Sequence, residues 1–155
     1  MANERNFSFV HPLSLHQYLK NGRQSIGSSM ALYAMTLFIF PESQWLKPAE
    51  FAIIKKAIKN SSLALRLIND LGSYEREHAH KTLNSLVVLM KQGETIESAQ
   101  EKISSLIEKN LAISKQRKKF LPLKCRPFFT ALDRLLRFTL NLYGTKDYHG
   151  EAPRP

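Results

Sequence analysis

The spacing of apolar residues decides what this chain can fold into. Leu63, Leu67, Ile68 and Leu71 recur at the three- and four-residue intervals of one helix face, as do Ala99, Ile103, Leu106 and Ile107, and again Leu132, Leu135, Leu136 and Leu140. No stretch alternates at period two for long enough to build a sheet, so an all-α fold is expected. At 155 residues the chain is the size of one ordinary domain and can bury a real core.

Glycine, serine and proline divide the periodic segments. Residues 1–12 are polar, end in His11-Pro12 and read as a flexible lead-in. A helix is expected from Leu13 to about Gln24. Gly22, Gly27 and the pair Ser28-Ser29 then interrupt the pattern before a very apolar helix from about Met30 to Phe40, ended by Pro41. A helix broken in this way exposes backbone groups that lack intrahelical partners. Pro48 starts a further helix to about Lys59. Asn60-Ser61-Ser62 reads as the N-cap of a separate helix carrying Leu63 to Leu71. A short buried segment around Leu86 and Leu89 is closed by Gly93, and Thr95 opens a long amphipathic helix. The last helix begins after Pro127 and ends near Gly144.

Composition narrows the function classes. The formal net charge of +10 favours an anionic partner, whether nucleic acid, a membrane surface or a phosphorylated small molecule. Between Lys115 and Arg137, Lys115, Arg117, Lys118, Lys119, Lys124, Arg126, Arg134 and Arg137 face a single acid, Asp133. The part from Lys115 to Arg126 is expected to lack interleaved exposed aromatics and carries no known nucleic-acid motif, so a solvated helix end and loop is preferred and no nucleic acid is expected. The one cysteine, Cys125, excludes an internal disulfide framework and suits a reducing compartment, which points to a cytoplasmic location. The apolar run from Met30 to Pro41 is too short to span a bilayer.

Residues 69–77 carry the clearest chemistry. Asn69, Ser73 and Glu77 fall at i, i+4 and i+8, within an arc of about 80° spread over roughly 12 Å of helix axis. An amide carbonyl, a hydroxyl and a carboxylate are hard oxygen donors that suit Mg²⁺, which shares its shell with water and substrate phosphates. With only one negative charge among them, the set leaves room for an anionic ligand. His78 and His80 diverge by about 200° around a helix and so cannot share a zinc ion.

This stretch, Asn69-Asp70-Leu71-Gly72-Ser73-Tyr74-Glu75-Arg76-Glu77, resembles the second metal motif of class I terpene synthases, [N/D]-D-[L/I/V]-x-[S/T]-x-x-x-E, at every specified position. Arg23, forty-six residues upstream of Asn69, resembles the family's diphosphate-sensing arginine, and Gly27 the effector glycine of its broken helix. Asn84 to Gly93 is similar to the helix that follows the metal motif. The tail from Gly144 resembles the family's closing segment, with Arg154 at the position of its arginine, Tyr148 at that of an aromatic residue and Pro155 in place of its tyrosine.

The resemblance implies Mg²⁺-dependent ionisation and cyclisation of an isoprenyl diphosphate, of which C15 farnesyl diphosphate is the expected example, by a carbon–oxygen lyase. Asn69, Ser73 and Glu77 would hold the metal, Arg23, Arg76 and Arg154 would bind diphosphate, and Gly27 would be catalytic. Tyr33, Phe38 and Tyr148 are candidates to face a carbocation. The implied architecture is the second half of the family's helical barrel, occupying residues 13–144, with 145–155 as a capping tail. No aspartate-rich D-D-x-x-[D/E] motif occurs, since the aspartates are Asp70, Asp133 and Asp147. The chain is therefore expected to hold half of an active site and to be inactive alone. The alternative is a non-enzymatic basic helical protein that binds nucleic acid or an anionic membrane surface.

Overall fold

The computed structural model describes residues 13–25, 27–40 and 45–145, with side chains described for 13–22, 27–40 and 45–142. Among the described residues the fold is all-α, without strands. The α-helices are α1 (Leu15–Ser25), α2 (Ser28–Ile39), α3 (Pro48–Gly72), α4 (Tyr74–Ala79), α5 (Ser85–Met90), α6 (Ile96–Arg117) and α7 (Arg126–Thr145), with two 3₁₀ turns, Lys118–Phe120 and Leu123–Cys125, between the last two.

Helix α3 is the spine, because it packs against each of the other six helices. Pro48 pre-sets its first turn, and the Lys47 N–H donates to Glu50 Oε2 at 2.8 Å, satisfying a donor at its start. At about 1.5 Å per residue its 25 residues run roughly 37 Å, long enough to serve two cores. Ile54, Ala57 and Ile58 of its first half pack with Leu32 of α2 and Phe128, Leu132 and Leu136 of α7. Ala64, Leu67 and Ile68 of its second half pack with Leu86 and Leu89 of α5 and Ala99, Ile103 and Ile107 of α6.

The sequence divided this spine in two, and the structure corrects that. Asn60, Ser61 and Ser62 are mid-helix rather than a cap. Ser61 and Ser62 are wholly buried, and their hydroxyls bond to Ser114 Oγ of α6 at 3.2 Å and Ser29 Oγ of α2 at 3.0 Å. Serine is small enough for helices to approach closely, and each hydroxyl finds its partner on the neighbouring helix rather than on its own backbone. Gly22 is a second correction: it lies within α1, not at a break. A Cβ there would come within 3.2 Å of Arg66 Nε, so the glycine makes room for the arginine.

The expected interruption after α1 is present at Gly27, whose φ of 68° is the left-handed conformation that glycine adopts without strain. Its carbonyl accepts the first bond of α2 from Ala31 N at 3.0 Å. The N-caps of the later helices are also as expected in kind: Asn84 Oδ1 accepts from Leu86 N at 2.9 Å and Thr95 Oγ1 from Ser98 N at 3.2 Å. Residues 1–12 and the tail from 146 onward lie outside the described residues. None of the described helices is long and apolar enough to cross a membrane.

Candidate metal and diphosphate site

The three oxygen donors straddle a helix junction. Asn69 lies in the last turn of α3, Ser73 between α3 and α4, and Glu77 on α4. Ser73 has φ −103° and ψ 5°, away from helical values, which is where the axis breaks. The hydrogen-bond ladder nevertheless continues, with Ser73 N to Asn69 O and Glu77 N to Ser73 O both at 2.9 Å. The i, i+4, i+8 relation therefore survives the break, and the three residues keep one face. Asn69 and Glu77 are half-buried, whereas Ser73 is fully buried and donates its hydroxyl proton to Asn69 O at 2.7 Å. The hydroxyl's lone pairs are left as acceptors.

Two groups steady the Glu77 carboxylate. Asn84, wholly buried, donates from Nδ2 to Glu77 Oε2 at 2.7 Å and to Asp70 O at 2.8 Å, while Arg76 Nη2 stands 3.9 Å from Oε1. His78 stacks on the Tyr74 ring with centroids 5.4 Å apart, and His80 is exposed.

Just beyond the edge of the donor arc, Asp70 faces inward. One residue on from Asn69 is a turn of about 100°, which carries its side chain into the core. There Oδ2 accepts from the Tyr18 hydroxyl at 2.9 Å and from Ser85 N at 3.2 Å, and Arg66 Nε lies 3.0 Å from Oδ1. Arg66 in turn donates from Nε to the Tyr18 hydroxyl at 3.1 Å, and its guanidinium carbon sits 5.1 Å from the Tyr18 ring centroid. Burial pushes the Asp70 carboxyl up to about 6, against the pull of Arg66, and burial also raises the Tyr18 phenol. This network ties α1, α3 and α5 together beside the donor face.

Tyr18, Arg66, Asp70 and Asn84 were not singled out as site residues in the sequence, although Asp70 sits inside the motif and Asn84 precedes an apolar helical run in the manner of a cap. Of those that were, Asn69, Ser73, Arg76 and Glu77 are brought to one junction, and Gly27 caps α2. Arg23 lies on α1, five residues from Tyr18, but its side chain is outside the described residues, as are Tyr148 and Arg154. Tyr33 packs against the first core, whereas Phe38 is 89% exposed. A groove of about 210 Å³ between α6 and α7, lined by Leu111, Lys115, Phe129 and Leu132 among others, includes none of the expected site residues.

Residues 3–112 match the family described as terpene synthase family 2, C-terminal metal binding. The chain belongs to the terpene synthase family, and the match takes in the whole donor face. Among curated proteins it is similar to class I diterpene synthase 2, chloroplastic, of Vitex agnus-castus, at 28% identity over 76% of this chain and 21% of that protein. It is also similar to class I diterpene synthase TPS6, chloroplastic, of the same plant, at 26% identity over 87% of this chain and 24% of that protein. Isopimaradiene synthase of Isodon rubescens is 28% identical over 76% of this chain and 16% of its own length. The chain thus spans about a fifth of the length of the curated relatives it matches.

Proposed function

We propose that this chain carries the metal-binding half of a class I terpene synthase active site, which acts with Mg²⁺ on an isoprenyl diphosphate. One observation supports this above the others: Asn69, Ser73 and Glu77 keep a common face across the α3–α4 junction within the residues that match the family. The donor set fits the ion, since all three atoms are hard oxygens and the carboxylate is already steadied by neighbours. Mg²⁺ would supply Lewis-acid assistance to a departing diphosphate. Of the chain's own residues, Asn69, Ser73 and Glu77 hold the cation, and Arg23, Arg76 and Arg154 donate charge-assisted hydrogen bonds to the diphosphate oxygens. Gly27 offers a backbone carbonyl at the break between α1 and α2.

The chain length of the substrate is open to a direct comparison. The resemblance implied C15 farnesyl diphosphate, whereas two relatives carry diterpene in their names, which denotes C20 products. Their names also say chloroplastic, in contrast to the cytoplasmic location expected from the sequence.

Calorimetric titration with inorganic diphosphate, with and without Mg²⁺, tests the proposal. Binding is expected only with the metal and is expected to disappear in the Asn69→Ala/Glu77→Ala double variant; equal affinity in that variant would remove the donor face from the function. Offered farnesyl or geranylgeranyl diphosphate, the chain alone is expected to release no cyclic hydrocarbon, and such a product in headspace mass spectrometry would show that the site is complete. Nucleic-acid binding that is lost on neutralising Lys115, Arg117, Lys118 and Lys119 would instead favour a basic binding protein.

A further inference from the structure

We infer that Asn84 is a positioning residue for Glu77, fixing the carboxylate in the orientation in which it takes a cation; this rests on Asn69, Ser73 and Glu77 being the metal face. The side chain is fully buried and makes three hydrogen bonds, using both of its N–H donors. Nδ2 donates to Glu77 Oε2 at 2.7 Å and to Asp70 O at 2.8 Å, and Oδ1 accepts from Leu86 N at 2.9 Å. Those neighbours also settle which end of the amide is which: two acceptors lie on one side and an N–H donor on the other.

The position of Asn84 gives it this leverage. Asp70 O is among the last four carbonyls of α3, which lack helical partners, and Leu86 N is among the first amides of α5, which lack them too. One side chain therefore closes both helix ends and joins each to Glu77. Helix α4, which carries Glu77, has six residues and buries none of them. Arg76 Nη2, at 3.9 Å from Oε1, is beyond hydrogen-bond length. Asn84 thus supplies the directional hold that α4 cannot supply through packing. A hydrogen bond to one lone pair of Oε2 leaves the remaining lone pairs for a cation, which is the usual relation between a ligating carboxylate and the group that orients it.

Capping and positioning can be separated. Serine keeps an N-cap acceptor for Leu86 N but cannot span both Glu77 and Asp70, whereas alanine loses everything. The test is binding of Mn²⁺ in the presence of inorganic diphosphate, read from the loss of the free-ion electron paramagnetic resonance signal. It compares the unaltered chain, Glu77→Ala, Asn84→Ser, Asn84→Ala and the Glu77→Ala/Asn84→Ser pair, with thermal unfolding of each by circular dichroism. Asn84→Ser is expected to lower the unfolding midpoint less than Asn84→Ala and to weaken Mn²⁺ about ten- to a hundredfold. In the Glu77→Ala background it is expected to add nothing further. Asn84→Ala should lose both affinity and midpoint.

If the unaltered chain and Glu77→Ala bind alike, the metal reading itself fails. If Glu77→Ala weakens binding and Asn84→Ser does not, the inference about Asn84 fails while the metal face stands. A midpoint that falls as far in Asn84→Ser as in Asn84→Ala, or an undiminished loss of affinity without Glu77, would make Asn84 merely structural and overturn the inference.

Discussion

Asp70 joins three helices through a single carboxylate, so its loss is felt well beyond its own turn. Asp70→Ala removes the acceptor shared by the Tyr18 hydroxyl, the Ser85 N–H and Arg66, and should lower stability by about 3 kcal/mol in urea unfolding. Tyr18→Phe, which removes a donor to Asp70 and an acceptor for Arg66 but keeps the carboxylate, should cost less, about 1–2 kcal/mol. Glu50 shows the opposite electrostatics near the surface. Lys124 Nζ at 2.8 Å, helped by the Lys47 N–H, holds its carboxyl below the ordinary 4.5. A lowered carboxyl stabilises the fold above its unfolded value, and that stability is lost as pH falls through the folded value. The midpoints of the unaltered chain and Glu50→Gln should therefore differ at pH 7 and converge as pH falls through the lowered folded-state value in thermal scans. The common face of Asn69, Ser73 and Glu77 was legible because helical spacing alone aligns them. The roles of Asp70 and Asn84 were not, since their partners Tyr18 and Glu77 meet them only once α1 and α5 are docked on α3.

Helix period and breakers account for most of the element boundaries. Pro48, Thr95, Gly93 and the break at Gly27 act as their local chemistry implies. Gly27→Ala should cost about 1–2 kcal/mol, because a Cβ is unfavourable at φ 68° even though open space surrounds it. Misreadings arose where tertiary packing overrode a local preference. Ser61 and Ser62 favour a cap in isolation, yet buried at helix crossings they bond to Ser114 and Ser29. Ser61→Leu would force α3 and α6 apart and should destabilise by about 1–3 kcal/mol, while Ser61→Ala, which keeps the volume small, should cost less in the same unfolding assay.

For the molecule as a whole, α2 presents two unlike faces among the described residues. Leu32 and Thr36 are buried, while Met30, Leu37 and Phe38 are 74%, 78% and 89% exposed on a helix with no charged residue. Leu37→Lys with Phe38→Lys should leave the unfolding free energy within about 0.5 kcal/mol, whereas Leu32→Ala should cost about 2–5 kcal/mol in urea unfolding. The junction at Ser73 has a consequence of another kind. The carboxylate of the donor face rides on α4, which buries no residue, while Asn69 belongs to the best-packed helix of the fold. Amide protons of residues 74–79 should then exchange with solvent long before those of α3's middle turns. A cation that joins Asn69 to Glu77 must slow that exchange, and the conformational entropy surrendered by the short helix is subtracted from the affinity with which the ion is held.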